Sequence, residues 1–320
     1  NFEDEKIDKF LEEHNVKNIV IKDEPLGAKI LKGVEESKGE VISLLEDDDL
    51  WMPQKLEIVK EIFKDKDIVY YGNNYLDVIY KNNKMYYYNG NEYIELTGSI
   101  DALTIQIADL HKDKQLFEKL KASEIIENKK AIGLRPIQNN SSISIRKDIL
   151  KESYWNVINE FYAAVDLALF YLAICSKGEF VFDNRILTLK RNHLSNLSLS
   201  WASQDISYKE WLSRLSKIFK LAFTELGELM STIESAQCDI SYIYKKKLIS
   251  EIKIKYLEEK VIYSRLPNTK NELTLRELVE YLKHKKKFRE KLYGFLAFSP
   301  RYFKELAAKR WYKHDIKNSD

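Results

Sequence analysis

Apolar residues fall into two regimes along this chain. Short clusters of strand and helix period alternate through about residue 200, and long stretches of helical period follow. Residues 3–14 carry Ile7, Phe10 and Leu11 on one helical face, and residues 18–21 predict a short strand. Pro25-Leu26-Gly27 marks a turn, and residues 28–37 predict a helix that ends near Gly39. Residues 41–45 are an apolar run of the kind found in a buried strand, stopped abruptly by Glu46, Asp47, Asp48 and Asp49. Pro53 then stands where a helix can begin, with Leu56, Val59, Ile62 and Phe63 at helical spacing. This alternation predicts an α/β fold with a mixed, mostly parallel sheet flanked by helices. It also puts the four acids at the carboxyl end of a strand, the edge where open α/β sheets bind ligands.

Residues 67–72 predict a further strand. The tyrosine-rich runs 75–80 and 85–88, with a turn signal at Asn89-Gly90, predict a hairpin insertion whose rings pack or stack on sugars. Residues 99–111 predict a helix carrying Leu103, Ile107 and Leu110. Residues 117–126 read as helix or linker, and 139–146 as a strand with a polar start. Residues 178–182 predict a short strand. From Trp201 onward the pattern is helical, with a stripe through Trp211, Leu215, Ile218, Phe219, Ala222, Leu226 and Leu229, and a second stretch over 240–262. Pro267-Asn268 breaks it, and Thr274-Leu275-Arg276-Glu277 reads as a capping box. The expected organisation is an α/β domain over 1–200 and an all-α, basic C-terminal domain over 201–320.

A chain of 320 residues with 44% hydrophobic content can bury a sizeable core. Its net charge of +2 makes no global demand for nucleic acid. Two cysteines far apart, Cys175 and Cys238, argue against a disulfide framework and suit a reducing cytosol. No apolar run is long enough to span a bilayer, and no signal-peptide pattern is visible, so a cytoplasmic setting is expected. Residues 284–311 interleave lysine and arginine with aromatics. Such a segment suits an anionic membrane surface, which would place the protein peripherally at its inner face; the plain alternative is a solvated charged face over a packed core. Nucleic acid is the weaker fit.

Hard cations such as Mg²⁺ or Mn²⁺ take oxygen ligands, commonly one or two carboxylates plus substrate phosphates. Glu46 and Asp48, at i and i+2 on an extended segment, project to one side and can share an ion. Otherwise the acids are a solvated turn ahead of the next helix. Gly39-Glu40, the apolar strand, the acids, then Leu50-Trp51-x-Pro53-x-Lys55-Leu56-Glu57 resemble the metal-binding segment of family 2 glycosyltransferases with a GT-A fold. The resemblance implies a GT-A-like catalytic domain in which Mn²⁺ or Mg²⁺ on Glu46 and Asp48 grips a nucleotide-sugar diphosphate. Glu46 stands here where that family has Asp. In the family a strand, a helix and the start of a second strand, which bind base and ribose, precede the segment matching Asn1. The resemblance thus implies that this N-terminal part is missing. The family's Arg-Asn ahead of Gly-Glu is replaced by Ile30-Leu31, leaving Lys29 or Lys32 to offer charge to the diphosphate.

Residues 139–146 resemble the family's polar strand leading into the acceptor site. Inverting transfer needs a carboxylate to take the acceptor's proton. The family supplies it from a Glu-Asp pair at a helix start, and the matching stretch here is Ala163-Ala164-Val165-Asp166-Leu167. Asp166 is therefore the candidate base, with Glu160 one turn earlier. As a mere helix-terminal acid Asp166 would be worth about 0.3–1 kcal/mol. Arg191-Asn192-His193-Leu194-Ser195-Asn196-Leu197-Ser198 resembles the Arg-x-His-x-x-Asn-x-Ser end of that catalytic domain. It implies that Arg191 grips the diphosphate and that His193 ligates the metal or a phosphate oxygen.

The expected function is metal-dependent, inverting transfer of a hexosyl group from a nucleotide-sugar to an acceptor hydroxyl, on a lipid-linked or surface glycan. The alternative is a catalytically inactive glycosyltransferase-like scaffold or binding module, favoured by the Ala163-Ala164 replacement and the missing nucleotide half.

Overall fold

The computed structural model describes residues 5–21, 24–81, 84–89, 91–97, 117–128, 139–192 and 206–317. In chain order the elements are α1 (Glu5–Glu13), α2 (Leu26–Glu36), β1 (Val41–Ser43), β2 (Leu50–Trp51), α3 (Lys55–Ile62), β3 (Ile68–Lys81), β4 (Lys84–Tyr88) and β5 (Tyr93–Leu96). Then come β6 (Phe117–Lys121), α4 (Ala122–Asn128), a 3-10 turn (Asn140–Ser142), β7 (Ile143–Arg146), α5 (Glu152–Asn159), α6 (Val165–Cys175) and β8 (Glu179–Asn192). The helices α7 (Tyr208–Ser235), α8 (Tyr242–Ser264), α9 (Leu275–His284), α10 (Phe288–Leu296) and α11 (Arg301–Lys317) complete the described chain.

The class is the expected one, a mixed sheet with flanking helices followed by a helical region. Strand directions differ from expectation. Among the described residues only β3 and β8 pair in parallel, while β1–β7, β7–β3, β3–β4, β4–β5, β6–β8 and β2–β8 are antiparallel. The cause is topological. β7 inserts between β1 and β3, so the two early strands never meet. The predicted strand at 18–21 is coil, paired with no strand among the described residues, and Val20 is exposed. Residues 75–80 are no separate insertion but continue β3. Residues 178–182 likewise open a 14-residue β8 that runs on to Asn192. Residues 117–126 become β6 and the start of α4. The turn at Asn89 is as predicted: its side chain accepts the amides of Asn91 and Glu92 between β4 and β5. The helix predicted over 99–111 lies outside the described residues.

The two long strands change register at three places, and the largest step is in mid-strand. Asn73 faces Asp183 and Asn74 faces Ile186, so Asn184-Arg185 bulges from β8. Buried Asp183 is satisfied locally, accepting from Arg185 and from the Tyr71 hydroxyl at 2.8 Å. The bulge sets which β8 residues arrive under the acid turn, Thr188 among them.

α6 is apolar on nearly all sides and lies buried against the sheet, Phe170 packing on Tyr70, Phe180 and Phe182 with ring centroids 5.5–6.4 Å apart. The same core takes in Leu226, Leu229 and Ile233 of α7 and Leu248 and Ile252 of α8. Cys175 lies in this core as a free thiol and Cys238, also free, packs against it. α2 approaches α5 so closely that a Cβ on Gly27 would stand 1.7 Å from the Ile158 carbonyl oxygen. The capping box on α9 is formed as predicted, Thr274 and Glu277 each accepting the other's amide.

Candidate functional site

The acid turn is held from three directions. β1 delivers it: Ser43 bonds Ser144 of β7 at 2.8 Å, and the Leu44 amide donates to Ile143. The 3-10 turn grips it next. The Glu46 amide donates to Ser141 Oγ at 2.9 Å, and Asn140 Nδ2 donates to Glu46 Oε1 at 3.2 Å. β8 closes the third side. The Arg191 guanidinium donates to the carbonyls of Asp48 and Asp47, and the Arg191 amide donates to Asp49 Oδ1 at 3.1 Å. Arg191 is thus engaged with the acid turn's own backbone, which its hydrogen bonds orient.

Trp51 and Lys55, quoted above from the sequence alone, have a definite task. Trp51 Nε1, Lys55 Nζ and Thr188 Oγ1 all donate to the Ser141 carbonyl. Asn73 Nδ2 in turn donates to Thr188 at 3.0 Å. The segment after the acids is thereby locked to the polar turn. Lys55 is wholly buried with its ammonium 4.5 Å from the Trp51 ring, and burial pushes it down to about 7 despite the nearby Asp49 charge.

Glu46, Asp48 and Asp49 can each present a carboxylate oxygen to one point, all within 4.8 Å of one another. Burial pushes Glu46 up to about 7, and the charges of Asp49, Asp48 and Asp166 add to this against the Asn140 hydrogen bond. Burial raises Asp49 too. The buried Asn140 Oδ1 and Ser142 Oγ have no hydrogen-bond partner. An all-oxygen donor set, crowded acids and an unsatisfied amide oxygen beside Glu46 fit a hard divalent cation such as Mg²⁺ or Mn²⁺. A second acidic group, Asp65, Asp67 and Glu179, is already served by Lys119, which pairs with Asp65 at 2.7 Å and also with Glu179.

Asp166 stands in the first turn of α6 and is half-buried. Burial pushes its carboxyl up to about 6, opposed by the Leu167 amide at 2.7 Å and by the charges of Lys190 and Lys255. It acts electrostatically on Glu46 and on the buried Tyr70 hydroxyl, which itself lacks a partner. The charge of Asp166, the residue expected to act as base, is thus felt at the acid turn. Lys29 is exposed on α2, and no described contact joins it to this site. His193 lies outside the described residues.

Sequence reasoning missed Glu225. It reaches from α7 to the start of α6 and accepts the amides of Tyr162 at 2.7 Å, Ala163 at 3.0 Å and Ala164 at 2.7 Å. A signal was present: Glu225 falls on the apolar stripe between Ala222 and Leu229, where an acid has no solvent to face. A groove of about 590 Å³ lies beside β1 and α3, lined by Val41, Leu56, Val59, Phe63 and Arg146 among others, and the acids are not part of its wall.

No family model matches the chain, and no match is found among curated proteins. Among solved structures the chain is similar to the crystal structure of S. aureus TarS 1-349 in complex with UDP-GlcNAc, at 12% identity and a TM-score of 0.48, over 88% of this chain and 67% of that one. A likeness at that level carries no residue correspondence.

Proposed function

We propose that this chain is a metal-dependent glycosyltransferase that moves a sugar, with inversion, from a nucleotide-sugar to an acceptor hydroxyl. The observation that carries the reading is the meeting of Glu46, Asp48 and Asp49 on one point within electrostatic reach of Asp166. Glu46, Asp48 and Asp49, with Asn140 beside them, would hold Mn²⁺ or Mg²⁺, which supplies charge neutralisation of the leaving diphosphate. Asp166 takes the acceptor proton as the hydroxyl oxygen attacks the anomeric carbon from the face opposite that diphosphate. Arg191 keeps the acid turn in register, and His193 and Lys29 are candidate contacts to the phosphates. The polar turn at 139–142 borders the acceptor side, and the acceptor class is a glycan or lipid-linked hydroxyl.

The test is donor hydrolysis or transfer by the chain across common nucleotide-sugars with Mn²⁺. Chelation is expected to remove turnover and added Mn²⁺ or Mg²⁺ to restore it, while Asp48→Ala is expected to cut it by roughly 10²-fold or more, the scale of losing a Lewis acid worth several kcal/mol. Turnover indifferent to both would overturn the metal role. A second reading, a non-catalytic binding module, is favoured by one observation: the backbone at Ala163-Ala164 is sealed by Glu225 rather than carrying acids of its own. Donor binding with no turnover, by a chain that takes up Mn²⁺, would select it.

A further inference from the structure

We propose that the outward face of α9, α10 and the start of α11 docks on an anionic lipid surface. The core of this face is on α10. Phe288, Leu292 and Phe295 recur at i, i+4 and i+7, so they share one side of the helix, and they are 76%, 44% and 54% exposed. The opposite side is fixed inward. A Cβ on Gly294 would stand 2.7 Å from Leu278 Cδ1 of α9, Ala297 is buried, and the Tyr281 hydroxyl donates to the Glu290 carbonyl at 3.0 Å. α10 therefore cannot roll its stripe into the protein without losing that contact. Leu275 and Val279 of α9, then Phe298, Tyr302 and Phe303, extend the exposed apolar area along the chain. Exposed apolar side chains concentrated along one segment in this way mark an interaction surface.

Charge selects the occupant. Between residues 275 and 313 every acid is half-buried, and Glu277 and Glu280 are each paired at 2.7 Å with a lysine of α8, Lys260 and Lys253. Lys283, Lys286, Lys287, Arg289, Arg301 and Arg310 are all exposed on the same stretch. The segment thus shows solvent more cations and hydrocarbon than negative charge, its acids being half-covered and Glu305 paired with Lys309 at 3.5 Å. Aromatic and aliphatic side chains can enter the headgroup–acyl boundary while lysine and arginine stems reach the phosphates, each cation adding to the attraction of an anionic surface. α10 has nine residues, and none of the described helices is long and apolar enough to cross a membrane, so the fitting geometry is one lying in the surface plane. A nucleic acid would leave Leu275, Val279 and Leu292 unexplained, because aliphatic chains do not stack on bases. A second copy is a poorer match, since interface centres are depleted of charge and a two-fold pairing of this face would bring cations toward cations.

Vesicle flotation of the whole chain tests this independently of the acid site. The chain is expected to float with vesicles containing phosphatidylglycerol, to remain unbound with phosphatidylcholine alone, and to detach progressively as salt is raised. The triple variant Phe288→Ser, Leu292→Ser, Phe295→Ser and the double variant Lys286→Glu, Lys287→Glu should each weaken binding at least tenfold with an unchanged thermal midpoint, because all five side chains are exposed. Absence of binding to anionic vesicles would overturn the proposal. So would binding that neither variant weakens, or a dimer in solution that the triple variant splits while vesicles are ignored. Binding of duplex or single-stranded nucleic acid in preference to phosphatidylglycerol vesicles would overturn it as well.

Discussion

Glu225→Ala is expected to lower the unfolding free energy by about 2–4 kcal/mol. The carboxylate accepts three consecutive backbone amides, Tyr162, Ala163 and Ala164, and is itself buried. Bonds to a charged acceptor are worth roughly 1.5–3 kcal/mol each, but Tyr162 and Ala163 are exposed and water can replace the acceptor there. Ala164 is buried, so its amide carries most of the loss. Glu225→Gln should cost less, about 1–2 kcal/mol, since one oxygen can still accept while the amide nitrogen faces donors. Urea unfolding of wild type and both variants at matched pH measures this. A change under about 0.5 kcal/mol in Glu225→Ala would show that the amides are served equally well by solvent. The effect should reach the site, because these amides lead directly into the first turn of α6, where Asp166 stands. Loss of Glu225 is therefore expected to depress turnover beyond what the fraction unfolded explains.

Asp166→Asn is expected to abolish most turnover and to stabilise the fold. The two effects together separate a base from a helix-end ornament. General-base removal costs on the order of 10²–10⁴-fold in rate. The wild-type rate should fall about tenfold per pH unit below about pH 6, the value to which burial pushes the Asp166 carboxyl, and level off above it. The sign of the stability effect follows from the same shift. With a folded pKa near 6 against an ordinary 3.8, the native state binds more protons than the unfolded chain between those values. Stability is then lost as pH rises through that window, and the full cost, about 2–3 kcal/mol, persists at pH 7. A neutral Asn escapes it and can still accept the Leu167 amide. An acid that only complemented the helix dipole would behave oppositely: its Asn variant would be less stable by about 0.3–1 kcal/mol, with no change in pH profile. Matched pH–rate and thermal-melt series decide between these outcomes.

Much of the site was readable because its parts are local. A strand run ending in acids, a proline before a helix, Asp166 at a helix start and the Thr274–Glu277 box each declare themselves within a few residues. What escaped is non-local. Nothing near Val41 says that β7, about a hundred residues later, will pair with it in antiparallel fashion. The sequence pattern cuts β3 short because Asn73 and Asn74 break its apolar run. Those residues are polar in mid-sheet because Asn73 holds Thr188, which holds the Ser141 carbonyl. The resemblance puts Arg191 on the diphosphate, and only the tertiary structure shows its guanidinium also on the carbonyls of Asp47 and Asp48. Residues 18–21 show the converse, β-type side chains that stay coil with no paired strand among the described residues.

The shared core has a bearing on how such a chain can change over time. Leu226, Leu229 and Ile233 of α7 fill the same apolar volume as Phe170 and Phe180, and Glu225 reaches across from the same helix. The helical half is thus no detachable cassette. Exchanging it for an unrelated bundle by recombination would strip packing from beneath α6, so novelty in this lineage should accumulate on the outer faces of α9 to α11, where substitutions leave that interior untouched.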